Sequence, residues 1–61
     1  MAIRVFVESA KGDKEMVDWV IRNCKGFLYS IATYHNPEGQ VDIELFFATE
    51  EDAVLFNLRY L

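Results

Sequence analysis

The chain has 61 residues, of which 52% are hydrophobic, and six lysines and arginines against ten aspartates and glutamates give it a net charge of −4. This length predicts a single domain over residues 1–61, with one core and no linkers or repeats. A domain this small buries only about 60% of the surface that its unfolded chain exposes. We therefore expect a disulfide, a metal or a partner protein to support the fold.

Cysteine and histidine are too scarce to provide the first two kinds of support. Cys24 is the only cysteine and His35 the only histidine. No internal disulfide can form, and a zinc site would have to be completed by carboxylates, which is unusual for structural zinc. Small domains in oxidising compartments usually carry several cysteines, so we expect a cytoplasmic protein without metal or cofactor. A partner protein is the remaining source of support.

The start of the chain and its charge narrow the class of partner. Residues 1–8, MAIRVFVE, alternate and include charge, so they predict neither a signal peptide nor a membrane span. The net negative charge opposes a nucleic-acid binder, because such binding relies on neutralising phosphates. We expect a protein partner, and neither nucleic acid nor a membrane.

The first half of the chain predicts a strand and a helix. Residues 3–8 alternate, with Ile3, Val5 and Val7 on one face, as in a strand covered on one side. Residues 9–12 break this pattern, and Asp13 is the expected N-cap of a helix. The apolar side chains of this helix then repeat with a period of 3.6 residues. They predict a core-facing stripe of Val17, Val20, Ile21 and Cys24, with Met16 and Trp19 beside it.

The second half predicts a hairpin and a closing helix. Gly26 lies at the expected helix C-cap, and residues 27–34 are rich in aromatic and β-branched residues, as in a strand. Residues 35–39 form the expected loop of about five residues, and residues 40–47 alternate as an antiparallel third strand. Thr49 is the expected N-cap of a helix whose first turn carries carboxylates, as in a capping box. The apolar surface of this helix is wider than one core-facing stripe, so part of it requires a second partner.

The order β-α-β-β-α predicts an α+β fold, a three-stranded antiparallel or mixed sheet with both helices on one face. The other face is then uncovered, and strand parity places Phe6 and Phe46 on it. The second strand alternates ambiguously and adds one of two sets of side chains to this face. These sets are Phe27, Tyr29 and Ile31, or Leu28, Ala32 and Tyr34.

Two short segments resemble the RNA-recognition-motif family. The sequence VFVES at positions 5–9 resembles its first-strand motif, and FATEEDA at positions 47–53 resembles the junction between its third strand and second helix. The resemblance implies a ferredoxin-like fold without the last strand, because the chain stops at Leu61, and it implies a free edge at strand 1. The family stacks RNA bases on aromatics of strands 1 and 3. Phe6 fits the first position, but Asp42 and Glu44 occupy the strand 3 positions, so the resemblance does not extend to an RNA site.

The closing run EDAVLFNLR at positions 51–59 is similar to the C-terminal helix of small uncharacterised bacteriophage proteins. This resemblance implies a phage-encoded protein that acts on a host or virion component. It assigns no function to any residue.

No set of side chains in the sequence predicts an enzyme. Cys24 and His35 could suggest nucleophilic catalysis, but Cys24 continues the core stripe of its helix and His35 opens a turn. Asp42 and Glu44 could act as an acid/base or cation-binding pair, but this spacing is typical of the solvated side of a sheet. A core this small also leaves little room for a pocket of about 300 Å³. We expect no catalytic residue.

The sequence favours a non-enzymatic protein-binding module, an inhibitor or accessory subunit. It would dock on a larger protein or on itself as a homodimer through the sheet face, the strand 1 edge or the last helix. The alternatives are a degenerate RNA binder and an acidic nucleic-acid mimic that uses Asp42, Glu44 and residues 50–52. The expected partner-binding residues are apolar anchors and charged neighbours: Arg4, Phe6, Trp19, Tyr29, Asp42, Glu44, Phe46, Phe56 and Tyr60.

Overall fold

Five elements follow one another in the predicted order β-α-β-β-α. The computed structural model describes residues 2–10, 13–34 and 41–60, except for the side chains of residues 9, 10 and 13. The predicted loop with His35 and the side chain of the predicted N-cap Asp13 therefore lie outside the described part. The elements are β1 (Ile3–Ala10), α1 (Asp13–Asn23), β2 (Phe27–Tyr34), β3 (Val41–Phe47) and α2 (Glu50–Tyr60). The α+β class is confirmed.

The sheet has the strand order β1-β3-β2, and both neighbouring pairs are antiparallel. β3 is therefore central, while β1 and β2 form the two edges and run parallel to each other. This arrangement is consistent with a ferredoxin-like fold. Within the described residues β1 pairs with β3 alone, so the predicted free edge is present.

The core lies between one sheet face and the two helices. α2 contacts β1 and β3, whereas α1 contacts β2. The strict alternation of β3 places every second side chain in this core, as its sequence predicted. The core consists of Val5, Val7, Met16, Val20, Cys24, Val41, Ile43, Leu45, Phe47, Ala53 and Phe56.

The buried stripe of α1 differs from the predicted one. Met16, Val20 and Cys24 are buried, each four residues from the next, whereas Ile21 is 61% exposed. The prediction of Ile21 as a core residue was therefore wrong. The helix must meet both the sheet and α2, and Trp19 packs edge-on against Tyr60 of α2. This second contact rotates the helix and turns Ile21 away from the core.

A β-bulge in β2 accounts for its ambiguous alternation. Phe27 lies opposite Phe47, but Tyr29 lies opposite Phe46, so Leu28 is an additional residue in the strand. The bulge shifts the parity by one. Phe27 packs against the core, while Tyr29 points to the other side of the sheet. Neither predicted set of β2 side chains is correct as a whole.

Asp52 connects the N-terminus of α2 to the turn that follows α1. The backbone N–H of Asp52 donates to Thr49 Oγ1 at 3.4 Å, so the predicted N-cap is confirmed. Asp52 Oδ2 accepts from the Thr49 hydroxyl at 3.1 Å and from the backbone N–H of Gly26 at 2.7 Å. α1 ends at Asn23, so Gly26, the predicted C-cap, lies three residues beyond the end of the helix, in the turn that leads to β2, and that prediction was wrong. A Cβ at Gly26 would overlap Asp52 Oδ2, so any other residue at this position requires the Asp52 carboxylate to move.

Candidate protein-binding surface

The sheet face turned away from the helices, called the open face below, carries nine side chains in three rows across the strands. Cross-strand pairing defines the first two rows, Arg4–Phe46–Tyr29 and Phe6–Glu44–Ile31, and the pair Asp42–Thr33 of the third. Glu8 follows Val7 where the register of β1 with β3 shifts, and we group it with the third row. The prediction that Phe6 and Phe46 share the uncovered face is confirmed.

An aromatic stack lies in the first row. The rings of Tyr29 and Phe46 have centroids 4.5 Å apart and an interplanar angle of 19°. The two residues are direct cross-strand partners, which brings their side chains into contact. Phe46 is half-buried beneath this contact, and Tyr29 remains 51% exposed. The stack therefore presents a preformed aromatic surface, held by the sheet backbone.

Arg4 connects the first row to the second. Its guanidinium Cζ lies 5.2 Å from the centroid of the Phe6 ring, and its Nε forms an ion pair with Glu44 Oε2. Phe6 is 43% exposed beside this contact. The positive charge of Arg4 thus offsets the negative charge of Glu44 and lies over an aromatic ring at the same time.

Glu44, expected from the sequence as a charged neighbour of the aromatic anchors, lies in the middle of the open face. Its cross-strand neighbours are Phe6 of β1 and Ile31 of β2. Ile31 is 45% exposed. A partner that covers this face must therefore match an ion pair at its centre, and not only at its border.

Charge divides the open face into two ends. The first row combines Arg4 with the aromatic stack, whereas the third row begins with Glu8 and Asp42. Phe6 and Ile31 connect the two ends. The surface is therefore apolar at one end and acidic at the other.

Three predicted partner-binding residues lie on the other side of the sheet, among the helices. Phe56 is fully buried and stacks on Tyr60 at a centroid distance of 5.1 Å. Trp19 meets Tyr60 at 5.6 Å with an interplanar angle of 83°. The expected docking role of Phe56 conflicts with its position in the core. Trp19 and Tyr60 are half-buried and do not join the open face.

A groove of about 350 Å³ lies between the two helices. The sequence led us to expect little room for such a volume, but the groove lies on the surface and does not depend on the size of the core. Its lining combines two acidic and two basic side chains with two aromatic rings: Glu15, Asp18, Trp19, Arg22, Arg59 and Tyr60. The lining contains no thiol, hydroxymethyl or imidazole group.

Within the described residues, no three histidine, cysteine, aspartate or glutamate side chains are grouped to hold a metal ion.

Cys24 is 2% exposed, and its thiol donates to the backbone oxygen of Asp52 at 3.9 Å. Burial raises the pKa of the Cys24 thiol, and the negative charge of Asp52 raises it further. The thiolate, the nucleophilic form, is therefore disfavoured. The position of Cys24 relative to His35 lies outside the described residues.

The outer surface of α2 is apolar, as predicted. Val54, Leu55 and Leu58 are 53%, 40% and 80% exposed.

None of the helices in the described ranges has the length and hydropathy that crossing a membrane requires.

Comparison of the chain with models of known protein families gave no match, and comparisons with curated proteins and with solved structures gave none either.

Proposed function

We propose that this chain is a non-catalytic protein-binding module, an inhibitor or accessory subunit that docks on a larger protein through the open face. The observation that carries the proposal is the Tyr29–Phe46 stack with Phe6 beside it, on a sheet face that neither helix covers. Aromatic anchors held by rigid strands are typical of binding hot spots.

The apolar contacts alone would not produce a stable complex. Covering the exposed parts of Phe6, Tyr29 and Ile31, roughly 80–100 Å² each, would contribute about 2 kcal/mol per side chain. Their sum of about 6 kcal/mol is near the lower end of the roughly 4–15 kcal/mol that association costs. Polar contacts with the partner must supply the remaining binding free energy.

The charges of the open face specify that complementarity. Glu44 pairs with Arg4, and Glu8 adds negative charge beyond Phe6 along β1. The fitting partner is a protein with a flat apolar patch bordered by lysine or arginine at one end. In this proposal the module acts in the cytoplasm, and the resemblance of its last helix to small phage proteins suggests a phage or host protein as the partner.

The nucleic-acid alternatives receive less support from the same residues. Glu44 lies beside the exposed ring of Phe6, where it would repel a phosphate backbone, and Phe46 is already stacked on Tyr29. The acidic-mimic alternative relies in part on residues 50–52, but Asp52 is engaged with Gly26 and Thr49. The protein-binding function is therefore the one that we propose.

A photo-crosslinking experiment tests this function. A benzophenone amino acid at position 29 on the open face is expected to crosslink to one protein in a lysate of the native host. The matched control places it at position 34 of the same strand, where Tyr34 is 71% exposed but opposite the core residue Val41. Equal crosslinking from both positions would contradict docking through the open face.

Binding to the purified partner then tests the anchors. Tyr29→Ala and Glu44→Lys are each expected to weaken binding at least about tenfold in calorimetry, because one removes an anchor and the other reverses the central charge. Circular dichroism checks that both variants remain folded. Unchanged affinity in both variants would refute the proposed surface, and tighter binding of single-stranded RNA by Glu44→Lys would favour the RNA alternative.

A further inference from the structure

We propose that two copies of this chain pair through β1, antiparallel and centred on Phe6, so that their sheets join into one. The pairing uses the backbone edge of β1, and although the side chains of Arg4, Phe6 and Glu8 that select its register belong to the open face, the inference goes beyond the proposed docking function and does not depend on it.

The edge of β1 is available for such pairing. β1 is bonded to β3 on one side only within the described residues, which leaves the peptide groups of alternate residues directed outward. An unpaired edge is a template for another strand. β2 is the second edge, and the pairing of each edge strand with β3 shifts once, in β2 at Leu28 and in β1 after Val7. β2 has no charged residue between Phe27 and Tyr34, whereas β1 carries Arg4 and Glu8, so β1 has the more specific edge.

The geometry of antiparallel pairing limits the possible registers. Outward peptide groups occur at every second residue, so two copies of β1 can pair only with residues of the same parity opposite each other. The two-fold axis then lies beside one residue, for example Val5, Phe6 or Val7. Backbone bonding alone permits each of these registers.

The charges of β1 select the register centred on Phe6. In that register Arg4 lies opposite Glu8 of the second copy, and Glu8 lies opposite Arg4, while Phe6 meets its own counterpart. Centring on Val5 would place Arg4 opposite Phe6, and centring on Val7 would place Phe6 opposite Glu8. Only the register centred on Phe6 pairs both charges with opposite charges and the ring with a ring. The pairing of β1 with β3 is regular from Ile3 to Val7 and shifts between Val7 and Ala10, so Glu8 is the first residue beyond the regular segment.

α2 is placed to strengthen the same contact. α2 lies over β1 and β3. A helix axis above the midpoint between these two strands would lie about 2.4 Å from β1, on the side of β3. Adding the spacing of about 4.8 Å between the paired β1 strands, the two α2 axes would be about 9.6 Å apart. Packed helices lie about 8–10 Å apart, so pairing at β1 brings the two α2 helices to contact distance on the same face of the joined sheet.

The outward side of α2 carries the residues that such a contact requires. Tyr60 points towards α1, where it meets Trp19. Val54 and Leu58 lie roughly 120° and 160° around the helix from Tyr60, one turn apart, and are 53% and 80% exposed. Helix pairing would cover these apolar side chains, which the single chain leaves in water. The strand edge and the helix thus favour the same partner, a second copy.

Mixing two charge variants tests the pairing. In a dimer of the Glu8→Lys variant, the new lysine of each copy lies opposite Arg4 of the other. In a dimer of the Arg4→Glu variant, the new glutamate of each copy lies opposite Glu8 of the other. Each variant alone therefore repels itself, and we expect each to raise the dimer dissociation constant at least about tenfold in sedimentation equilibrium.

An equimolar mixture of the two variants is expected to restore the dimer. It places Arg4 of the first variant opposite Glu8 of the second, and the new lysine opposite the new glutamate. The matched controls Lys14→Glu and Glu15→Lys, on the exposed side of α1, are expected to leave the mass unchanged.

The mixture also shows whether a variant fails to dimerise because of charge repulsion or because it is misfolded. Mixing restores the dimer only in the first case. A wild-type chain that stays monomeric at about 1 mM would overturn the inference, since a dimer that weak contributes only about 4 kcal/mol. A dimer that neither charge variant weakens would overturn it as well. Neither result affects docking through Tyr29 and Glu44, which is measured against a different protein.

Cysteine crosslinking tests the register itself. Phe6→Cys is expected to form a disulfide-linked dimer on mild oxidation, because opposite residues in antiparallel strands have the Cα separation of a disulfide. Arg4→Cys and Glu8→Cys are expected to crosslink with each other and not with themselves. Self-crosslinking of Arg4→Cys with none for Phe6→Cys would refute the proposed register. Cys24 is buried and serves as the unreactive internal control.

Discussion

The substitution Gly26→Ala is expected to destabilise the fold by separating the turn after α1 from the N-terminus of α2. A Cβ at this position would overlap Asp52 Oδ2, the atom that accepts the Gly26 N–H at 2.7 Å and the Thr49 hydroxyl at 3.1 Å. The carboxylate must move, and the hydrogen bond from Gly26 is then lost. The neighbouring bond from Ala48 N–H to the Gly26 oxygen, at 2.7 Å, joins the same turn to the end of β3.

Two opposing effects determine the size of the change. Losing a hydrogen bond to a charged group costs about 1.5–3 kcal/mol. Replacing glycine with alanine restricts the unfolded chain, which stabilises the folded state by about 0.4–1 kcal/mol. The expected net loss is about 1–2 kcal/mol, which in a domain of about 60 residues lowers Tm by roughly 5–15 °C. This loss is a large part of the roughly 3–9 kcal/mol expected for the whole chain.

A double-mutant cycle with Asp52→Ala identifies the cause. Without the carboxylate, the nearest neighbours of the new Cβ are Ala48 Cβ and Thr49 Oγ1, both at 3.5 Å, an ordinary contact. In that background Gly26→Ala is therefore expected to be neutral or slightly stabilising. Urea unfolding of the four proteins, followed by circular dichroism, gives the coupling free energy. An equal loss in both backgrounds would show that Asp52 is not responsible and would refute the reasoning.

Two further predictions concern α1 and the turn after it. Because burial and then Asp52 raise the pKa of Cys24 in the folded state, its contribution to stability is full below the ordinary thiol pKa and is lost as pH rises above it. Urea unfolding between about pH 7 and pH 10, a range that spans the ordinary thiol pKa, should show this loss, and Cys24→Ala should lack it. Val20→Ala should cost about 2 kcal/mol, whereas Ile21→Ala should stay within about 0.5 kcal/mol. Equal costs at these two positions would contradict the observed orientation of α1.

The parts of the fold that follow a local pattern could be predicted from the sequence. β3 alternates without interruption, so the buried side of Val41, Ile43, Leu45 and Phe47 follows from strand parity alone. The same rule places Phe6 and Phe46 on one face. Thr49 and the acidic turn after it define the start of α2, because capping depends on residues within a single turn.

The parts that depend on tertiary contacts could not be predicted. The bulge at Leu28 changes parity within β2, and the apolar residues on both sides of it fit either face. The orientation of α1 depends on the contact between Trp19 and Tyr60, which are 41 positions apart in the sequence. The hydrogen bond from the Gly26 N–H to the Asp52 carboxylate joins two residues that are 26 positions apart in the sequence. The central place of Glu44 required the order β1-β3-β2, which makes its strand the middle one.

The position of α2 explains why one chain of this kind has two surfaces for partners. α2 lies over β1 and β3, so with its axis about 2.4 Å inside β1 it covers the sheet only as far as the β1 edge. A strand added at that edge by the proposed dimer therefore lies beneath α2 of the second copy. That strand covers nothing on the open face, because it joins the sheet from the side. Its pairing extends the open face across both copies, and a different protein is needed to cover it.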